Sequence, residues 1–448
     1  MDSRVNTTDY ILEALFNDYL SKSEPVKVNF RELVSWVKYG ERSTHMLHPY
    51  PAKLLVHIPH FFLHNRLLSK EGDFVLDPFC GSGTVPLEST LASRRAIGFD
   101  NNPLAHLIAK VKVTPIRPSR IQQSLNNLIG RLNSQLPVIP EVVNLDYWYS
   151  SKNIEGLGKI KASINKTRNE CVRDFLQACF SVTARKLSYA DPKVSVPVRL
   201  SPYKSRYDEK RRKLITSSIN WIDSVKPEDV FKNIVTQNIS RMRSLYEEIG
   251  PKPNASIYLS DARELILDSG KSQPNNSVQL IITSPPYAGA QKYIRASSLS
   301  LGWLSMAGPN ELRPLAMQSI GREQYAKSEY SKLVNTNIPQ ADIALRTIYK
   351  INPLRAHIAS NYLIEMEQAC SKMSETLKSG GYLVLVIGNN QVCGIEFLTK
   401  EYLKEIFLNL GLSLVLDLVD DIHSRGLMTK RNKTASVIST ESVLIFQK

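Results

Sequence analysis

Two short stretches combine residue types whose spacing could do chemistry. The first is Asp77-Pro78-Phe79-Cys80-Gly81-Ser82-Gly83-Thr84. It follows the apolar run Phe74-Val75-Leu76, and after it Val85 to Ser93 reads as a helix and Ala96-Ile97-Gly98-Phe99 as a second strand closed by Asp100. Glycines between a strand and a helix let backbone amides approach a ligand with no Cβ in the way. Asp100, ending the next strand, is placed to accept hydrogen bonds from a ribose diol. Neither Gly-x-Gly-x-x-Gly nor Gly-Lys-Ser/Thr is written here, so the dinucleotide fingerprint and the P-loop are excluded. By itself Gly81-Ser82-Gly83 is also compatible with a tight turn and nothing more.

The second stretch is Ser284-Pro285-Pro286-Tyr287, directly after the apolar strand Val278 to Ile282 and Thr283. Two prolines end a strand's ladder and stiffen the loop at its C-terminal end, where open α/β sheets bind ligands. The Ser284 hydroxyl and the Pro285 carbonyl are acceptors suited to an exocyclic amino group, and Tyr287 offers a flat face to a base. Read alone, the tetrapeptide is equally a strand terminator with a core tyrosine.

Together the two stretches resemble the cofactor-binding and catalytic motifs of the S-adenosylmethionine-dependent amino-methyltransferases of DNA. Thr-Ser-Pro-Pro-Tyr is the form typical of the cytosine-N4 type, where adenine-N6 enzymes carry Asp or Asn in place of Ser284. The resemblance covers residues 45–116 and 251–448, with the cofactor motif preceding the catalytic one. It implies a catalytic set of Ser284, Pro285, Pro286 and Tyr287. It implies S-adenosyl-L-methionine as cofactor, with Tyr50, Pro51, Ala52 and Lys53 closing over its methionine end. Asp77, Pro78, Phe79, Gly81, Ser82, Gly83 and Thr84 form its loop, Asp100 meets the ribose and Asp261 the adenine, and Asn101 and Ala262 belong to the same cofactor site. Transfer is then direct, from cofactor to a flipped base. The chain has no Pro-Cys dipeptide, so Cys80 is read as a small packing residue and not as the nucleophile of a C5-cytosine enzyme.

The elements that must position these groups read as an open α/β fold, mostly parallel with an antiparallel edge hairpin at its C-terminal end, plus a mostly helical inserted domain; the resemblance implies that the sheet is a Rossmann-like methyltransferase sheet. Residues 1–44 read as an N-terminal helical extension, with helices over 10–20 and 29–39. Residues 45–116 and 251–448 form the catalytic domain. Residues 117–250 read as a helical insertion, with helices over 119–135, 153–187 and 226–249, and the resemblance implies that it carries all or part of target recognition. Residues 288–350 read as loops and short helices, and Gly380-Gly381 as the stop of a helix over 358–377.

Composition points to the partner. Lys and Arg number 57 against 42 Asp and Glu, a net charge of +15, which favours a polyanion such as double-stranded DNA. Lys204, Arg206, Arg211 and Arg212 in the insertion, with Arg425 and Lys430 near the C-terminus, are the DNA-binding candidates. Five separated cysteines form no Cys-x-x-Cys pair, and no apolar run spans a bilayer. The expectation is a cytoplasmic prokaryotic protein, nucleoid-associated through DNA, with no membrane and no metal. His45, His48, His57, His60 and His64 crowd together without metal-ligand spacing. The resemblance also implies a restriction endonuclease as functional partner; oligomeric state is not written in the sequence. Three other readings stay open: adenine-N6 methylation on the same fold, RNA modification, and a non-catalytic DNA-binding protein with a vestigial pocket.

Overall fold

The structure is a computed structural model and describes residues 3–38, 42–51, 53–205, 207–288, 293–421 and 440–448. Its strands are β1 (Val26–Val28), β2 (Phe74–Asp77), β3 (Arg95–Asp100), β4 (Ala255–Leu259), β5 (Val278–Thr283), β6 (Leu377–Ile387), β7 (Asn390–Val392), β8 (Ile395–Phe397), β9 (Ser413–Asp421) and β10 (Thr440–Gln447). Eight of them form one sheet in the order β1-β9-β10-β6-β5-β2-β3-β4, and β7 and β8 form a separate ribbon. Within the sheet β10 runs antiparallel to β6 and β9, while the other neighbours are parallel. This is the Rossmann-like α/β architecture expected from the alternation of strand and helix signals.

Successive strand residues point to opposite faces, which divides the core in two. Leu76, Phe99, Ile281, Leu383 and Leu385 face the helices Pro339–Ile351, Pro353–Thr376 and Thr399–Asn409. Val75, Leu280, Ile282, Val384 and Val386 face the helix His57–Leu63 and the N-terminal elements. The helices of 118–249 share one core with the helix Pro103–Val113: Leu125, Leu157, Phe175, Phe231 and Met242 pack in the same cluster as Leu104, Ile108 and Trp303.

Several elements depart from the sequence reading. β1 adds to β9 in parallel, from Val26 opposite Leu418 to Val28 opposite Asp420. The N-terminal segment therefore supplies the outermost strand beside the β9–β10 hairpin, and among the described residues of 29–39 only Phe30–Leu33 is helical. Three alternating residues are too few to register as a strand pattern. The helix read over 153–187 is two, Ser151–Asn165 and Glu170–Lys186, because the Asn169 side chain accepts from the Val172 amide at 3.0 Å and starts the second. Residues 288–350 hold the helices Tyr293–Trp303 and Pro339–Ile351 as well as short pieces. The first of these is buried nearly all round, serines included, so it shows no amphipathic period. Gly380 and Gly381 do not stop a helix; they lie inside β6. The pairing with β5 jumps from Val278–Leu377 to Leu280–Tyr382, and a Cβ on Gly381 would meet the Gln279 carbonyl at 2.9 Å.

β5, β2, β3 and β4 are adjacent and mutually parallel, so their C-terminal ends (Thr283, Asp77, Asp100 and Leu259) emerge at one side of the sheet. The chain winds outward from β2 to β3 and β4 in one direction and from β5 to β6 in the other. The crevice between such halves is the binding position of open α/β sheets.

Candidate active site

A cleft of about 690 Å³ opens at those strand ends. Its walls include Tyr50, Pro78, Phe79, Gly81, Asp100, Asn101, Asp261 and Ala262 together with Ser284 and Pro286. The residues read as a cofactor half and as a catalytic loop, about two hundred positions apart in the chain, thus line one cavity.

The glycine turn is held by the next strand. The Gly81 amide donates to Asp100 Oδ2 at 2.9 Å and the Asn102 amide to Asp100 Oδ1 at 2.8 Å. Gly81 and Gly83 have φ of +50° and +79°, and a Cβ on Gly83 would lie 2.9 Å from Ala109. Positive φ and this close approach both require glycine there. Burial pushes the Asp100 carboxyl up to about 6, and the two amides oppose that shift. Asn102 also donates to the Tyr50 hydroxyl at 3.0 Å and caps the helix Pro103–Val113 through the Leu104 amide. Tyr50 is thereby fixed over the turn.

Asp77 joins the two halves. Its Oδ1 accepts from the Thr283 hydroxyl at 2.7 Å and from the Phe79 amide at 3.1 Å. Burial raises its carboxyl to about 7. Thr283 precedes Ser284, so one side chain ties the end of β2 to the loop that carries the tetrapeptide.

Other expected residues sit differently. Tyr287 packs into the core below, and its hydroxyl donates to Glu441 Oε1 at 3.2 Å; Tyr293, Ile294, Ser319 and Ile320 line the cleft instead. These four come from the stretch whose helices were invisible to periodicity. Asp261 lines the cleft, but both its carboxylate oxygens accept from Arg263, at 2.8 and 2.6 Å. Lys53 turns inward and donates to the His48 carbonyl at 2.7 Å, and Ser82 accepts from Lys112. Thr84 begins the helix Thr84–Leu91, and half-buried Pro51 follows Tyr50 outside the cleft wall. Cys80 is buried, with its Sγ close to Gly98, where a Cβ would lie 3.1 Å away. Ala52, Arg206, Arg425 and Lys430 fall outside the described residues.

Two of the clustered histidines converge on Glu88. Its carboxylate is fully buried and accepts from Arg42 at 2.6 and 2.9 Å, from His45 Nε2 at 2.7 Å and from His60 Nδ1 at 2.9 Å. These donors hold it well below the usual carboxylate range. His64 stacks on His60 with ring centroids 3.8 Å apart.

Lys204, Arg211 and Arg212 lie away from the cleft wall, around the start of the helix Glu209–Ser224. Lys204 and Arg211 both sit 5.7 Å from the Tyr207 ring, and Arg211 pairs with Asp191 at 2.9 Å. Sequence reading missed their companions. Arg199 lies between the rings of Tyr147 and Tyr189, at 4.5 and 4.9 Å, and Lys186 sits 5.5 Å over Trp221. Residues 185–213 hold ten Lys and Arg against three Asp and Glu. The usable signal was the tyrosines among the cations, not the density of charge alone.

Residues 13–111 match a family model described as DNA methylase, one that groups N6 and N4 enzymes. The matched stretch contains Asp77, Gly81, Gly83 and Asp100 and ends before the tetrapeptide. The chain is similar to the type II methyltransferase M.MvaI of Kocuria varians, 22% identical over 429 residues, covering 90% of this chain and 91% of that protein. It is also similar to the type II methyltransferase M.BsoBI of Geobacillus stearothermophilus, 23% identical over 338 residues, covering 70% of this chain and 63% of that one. A solved SAM-dependent methyltransferase from Methanosarcina mazei aligns over 85% of this chain and 94% of its own, with 10% identity and a TM-score of 0.31. No helix among the described residues is long and apolar enough to cross a membrane.

Proposed function

We propose that this chain is a site-specific DNA methyltransferase that moves a methyl group from S-adenosyl-L-methionine to N4 of cytosine in double-stranded DNA, as the modification enzyme of a restriction-modification system. One observation carries the reading. Ser284 and Pro286 line the same cleft as Gly81 and Asp100, so an amine acceptor and a nucleoside site share one cavity. The similarity to two type II methyltransferases over most of the chain supports it.

The lining of the cleft fits the cofactor in chemistry. Asp100 keeps acceptor capacity beyond its two amide contacts, and Phe79, Ala262 and Ile320 provide apolar walls. Bound S-adenosyl-L-methionine supplies an electrophilic methyl on its sulfonium. The protein's part is to hold the target amine in line with it, and that positioning is the main source of rate. Ser284 and the Pro285 carbonyl accept from the amino group. Tyr293 supplies the aromatic wall, since Tyr287 is engaged with Glu441. Ser284, where Asp or Asn would favour adenine, sets cytosine as the target.

DNA lies across the cation–aromatic face of the insertion. Rings that hold Arg199 and Lys186 in place lower the entropy lost when those cations meet phosphate. Arg199→Ala is expected to weaken duplex binding at every sequence and to reduce the slope of log affinity against log salt by about one, with cofactor affinity unchanged. Fluorescence anisotropy over a salt series measures it, and an unchanged slope removes Arg199 from the interface.

Sequencing of modified bases in DNA from cells expressing the chain tests the function as a whole. N4-methylcytosine at one fixed sequence is expected. N6-methyladenine alone overturns the base assignment, and unmodified DNA overturns the enzyme.

A further inference from the structure

Lys112, on the helix Pro103–Val113, is fully buried. A buried lysine is rare without an acid beside it, because an uncompensated ammonium in the interior is costly. Among the described residues no carboxylate lies within ion-pair distance of it. Its Nζ donates to Ser82 Oγ at 3.3 Å. Lys53 faces it as a second cation, and the Lys53 ammonium is itself turned onto two backbone carbonyls, those of His48 and His45 at 2.7 and 3.3 Å. Among the described residues, two lysine amines therefore stand near one another with no carboxylate paired to either. Burial and the like charge hold the Lys112 amine well below its ordinary range, so an anion brought beside it would favour its charged form.

Ser82 is the link to the cleft. It is buried, and its neighbour Gly81 lines the cavity. A hydroxyl that accepts from an ammonium keeps its own O–H for a second acceptor. We infer that Lys112, acting through Ser82, is a positioning residue for the carboxylate of the amino-acid end of the cofactor, and that this carboxylate is the counter-ion that buried Lys112 lacks. This rests on the proposed reading of the cleft. Lys112 touches neither the reacting sulfonium nor the target base. Its effect is on affinity, and specifically on the part of affinity that the carboxylate contributes.

A ligand-by-variant cycle isolates that part. Calorimetry gives the affinities of S-adenosylmethionine and of its decarboxylated analogue for the wild-type chain, Lys112→Met and Ser82→Ala. The wild type is expected to prefer the carboxylate form by tenfold or more, the size of roughly one charge-assisted hydrogen bond. In both variants that preference shrinks at least about fivefold, while the decarboxylated analogue binds all three chains alike within roughly twofold. Equal loss for both ligands means that Lys112 serves packing only and overturns the inference, and so does an undiminished preference. Should Lys112→Met fail to fold, Ser82→Ala decides alone, since it removes one oxygen from a turn. A wild-type chain that binds neither ligand overturns the reading of the cleft itself, and with it the role of Lys112.

Discussion

Ser284→Ala lowers methyl transfer by about a hundredfold or more, the scale of losing one preorganised hydrogen-bonding group at a reacting centre, and leaves cofactor affinity within roughly threefold. The asymmetry follows from where the side chain stands. Ser284 follows Thr283, whose hydroxyl already holds Asp77 at 2.7 Å, so the backbone is fixed before any substrate arrives. Removing the Ser284 hydroxyl leaves that tie and the glycine turn intact. Asp100→Ala does the reverse. It removes the acceptor of two backbone amides, at 2.9 and 2.8 Å, together with the acceptor assigned to the ribose. Cofactor affinity should fall tenfold or more, and the rate at saturating cofactor should fall less. Isothermal calorimetry and single-turnover methylation on the same preparations separate the two effects. Loss of cofactor binding in Ser284→Ala would dissolve this division of roles.

The sheet and the two motifs were legible because each is local. An apolar run, a turn and a helix fit within twenty residues around Asp77, and Pro285-Pro286 marks a strand end by its chemistry alone. What stayed hidden depends on distant partners. β1 is three residues long and exists as a strand only because Leu418 and its neighbours offer an open edge. The helix Tyr293–Trp303 is buried on nearly every side, so burial removed the periodicity that would have announced it. Tyr287 reads as a base-stacking ring until Glu441, 154 positions on, is seen to take its hydroxyl. Asp261 reads as a free acid until Arg263 is seen to fill both of its oxygens. The histidine cluster is the sharpest instance. Five histidines crowd into twenty residues, and the carboxylate on which His45 and His60 converge, with Arg42, stands on the helix after the glycine turn.

That carboxylate ties the segment leading to Tyr50 and Lys53, through Arg42 and His45, to the helix after the turn. Glu88→Gln is expected to destabilise the protein by about 3–5 kcal/mol, the usual result of breaking a buried ion pair from one side. The Arg42 guanidinium loses its counter-charge, and the amide group offers donors where His45 and His60 also donate. Arg42→Met combined with Glu88→Met should lose less than the sum of the single exchanges, because no lone charge remains buried. The same network predicts acid sensitivity. His48 is buried and its ring is pushed down to about 3, and burial pushes His45 down to about 4. Both stay neutral in the fold but take up protons near 6.5 once unfolded. A group whose folded value is depressed in this way favours the unfolded chain as pH falls from about 6.5, and at pH 5 His48 alone accounts for roughly 2 kcal/mol. Glu88, held low by its donors, stabilises the fold above its unfolded value and loses that contribution only as pH falls below about 4.5. Asp77 and Asp100, whose carboxyls burial holds up near 7 and 6, favour the fold over the same range and offset part of this loss. Denaturant midpoints are therefore expected to decline from about pH 6.5 on the histidines' account, and below about pH 4.5 the wild type should fall more steeply than Glu88→Gln, which lacks the carboxylate. Equal slopes below about pH 4.5 in the two chains would remove Glu88 as a source of acid sensitivity.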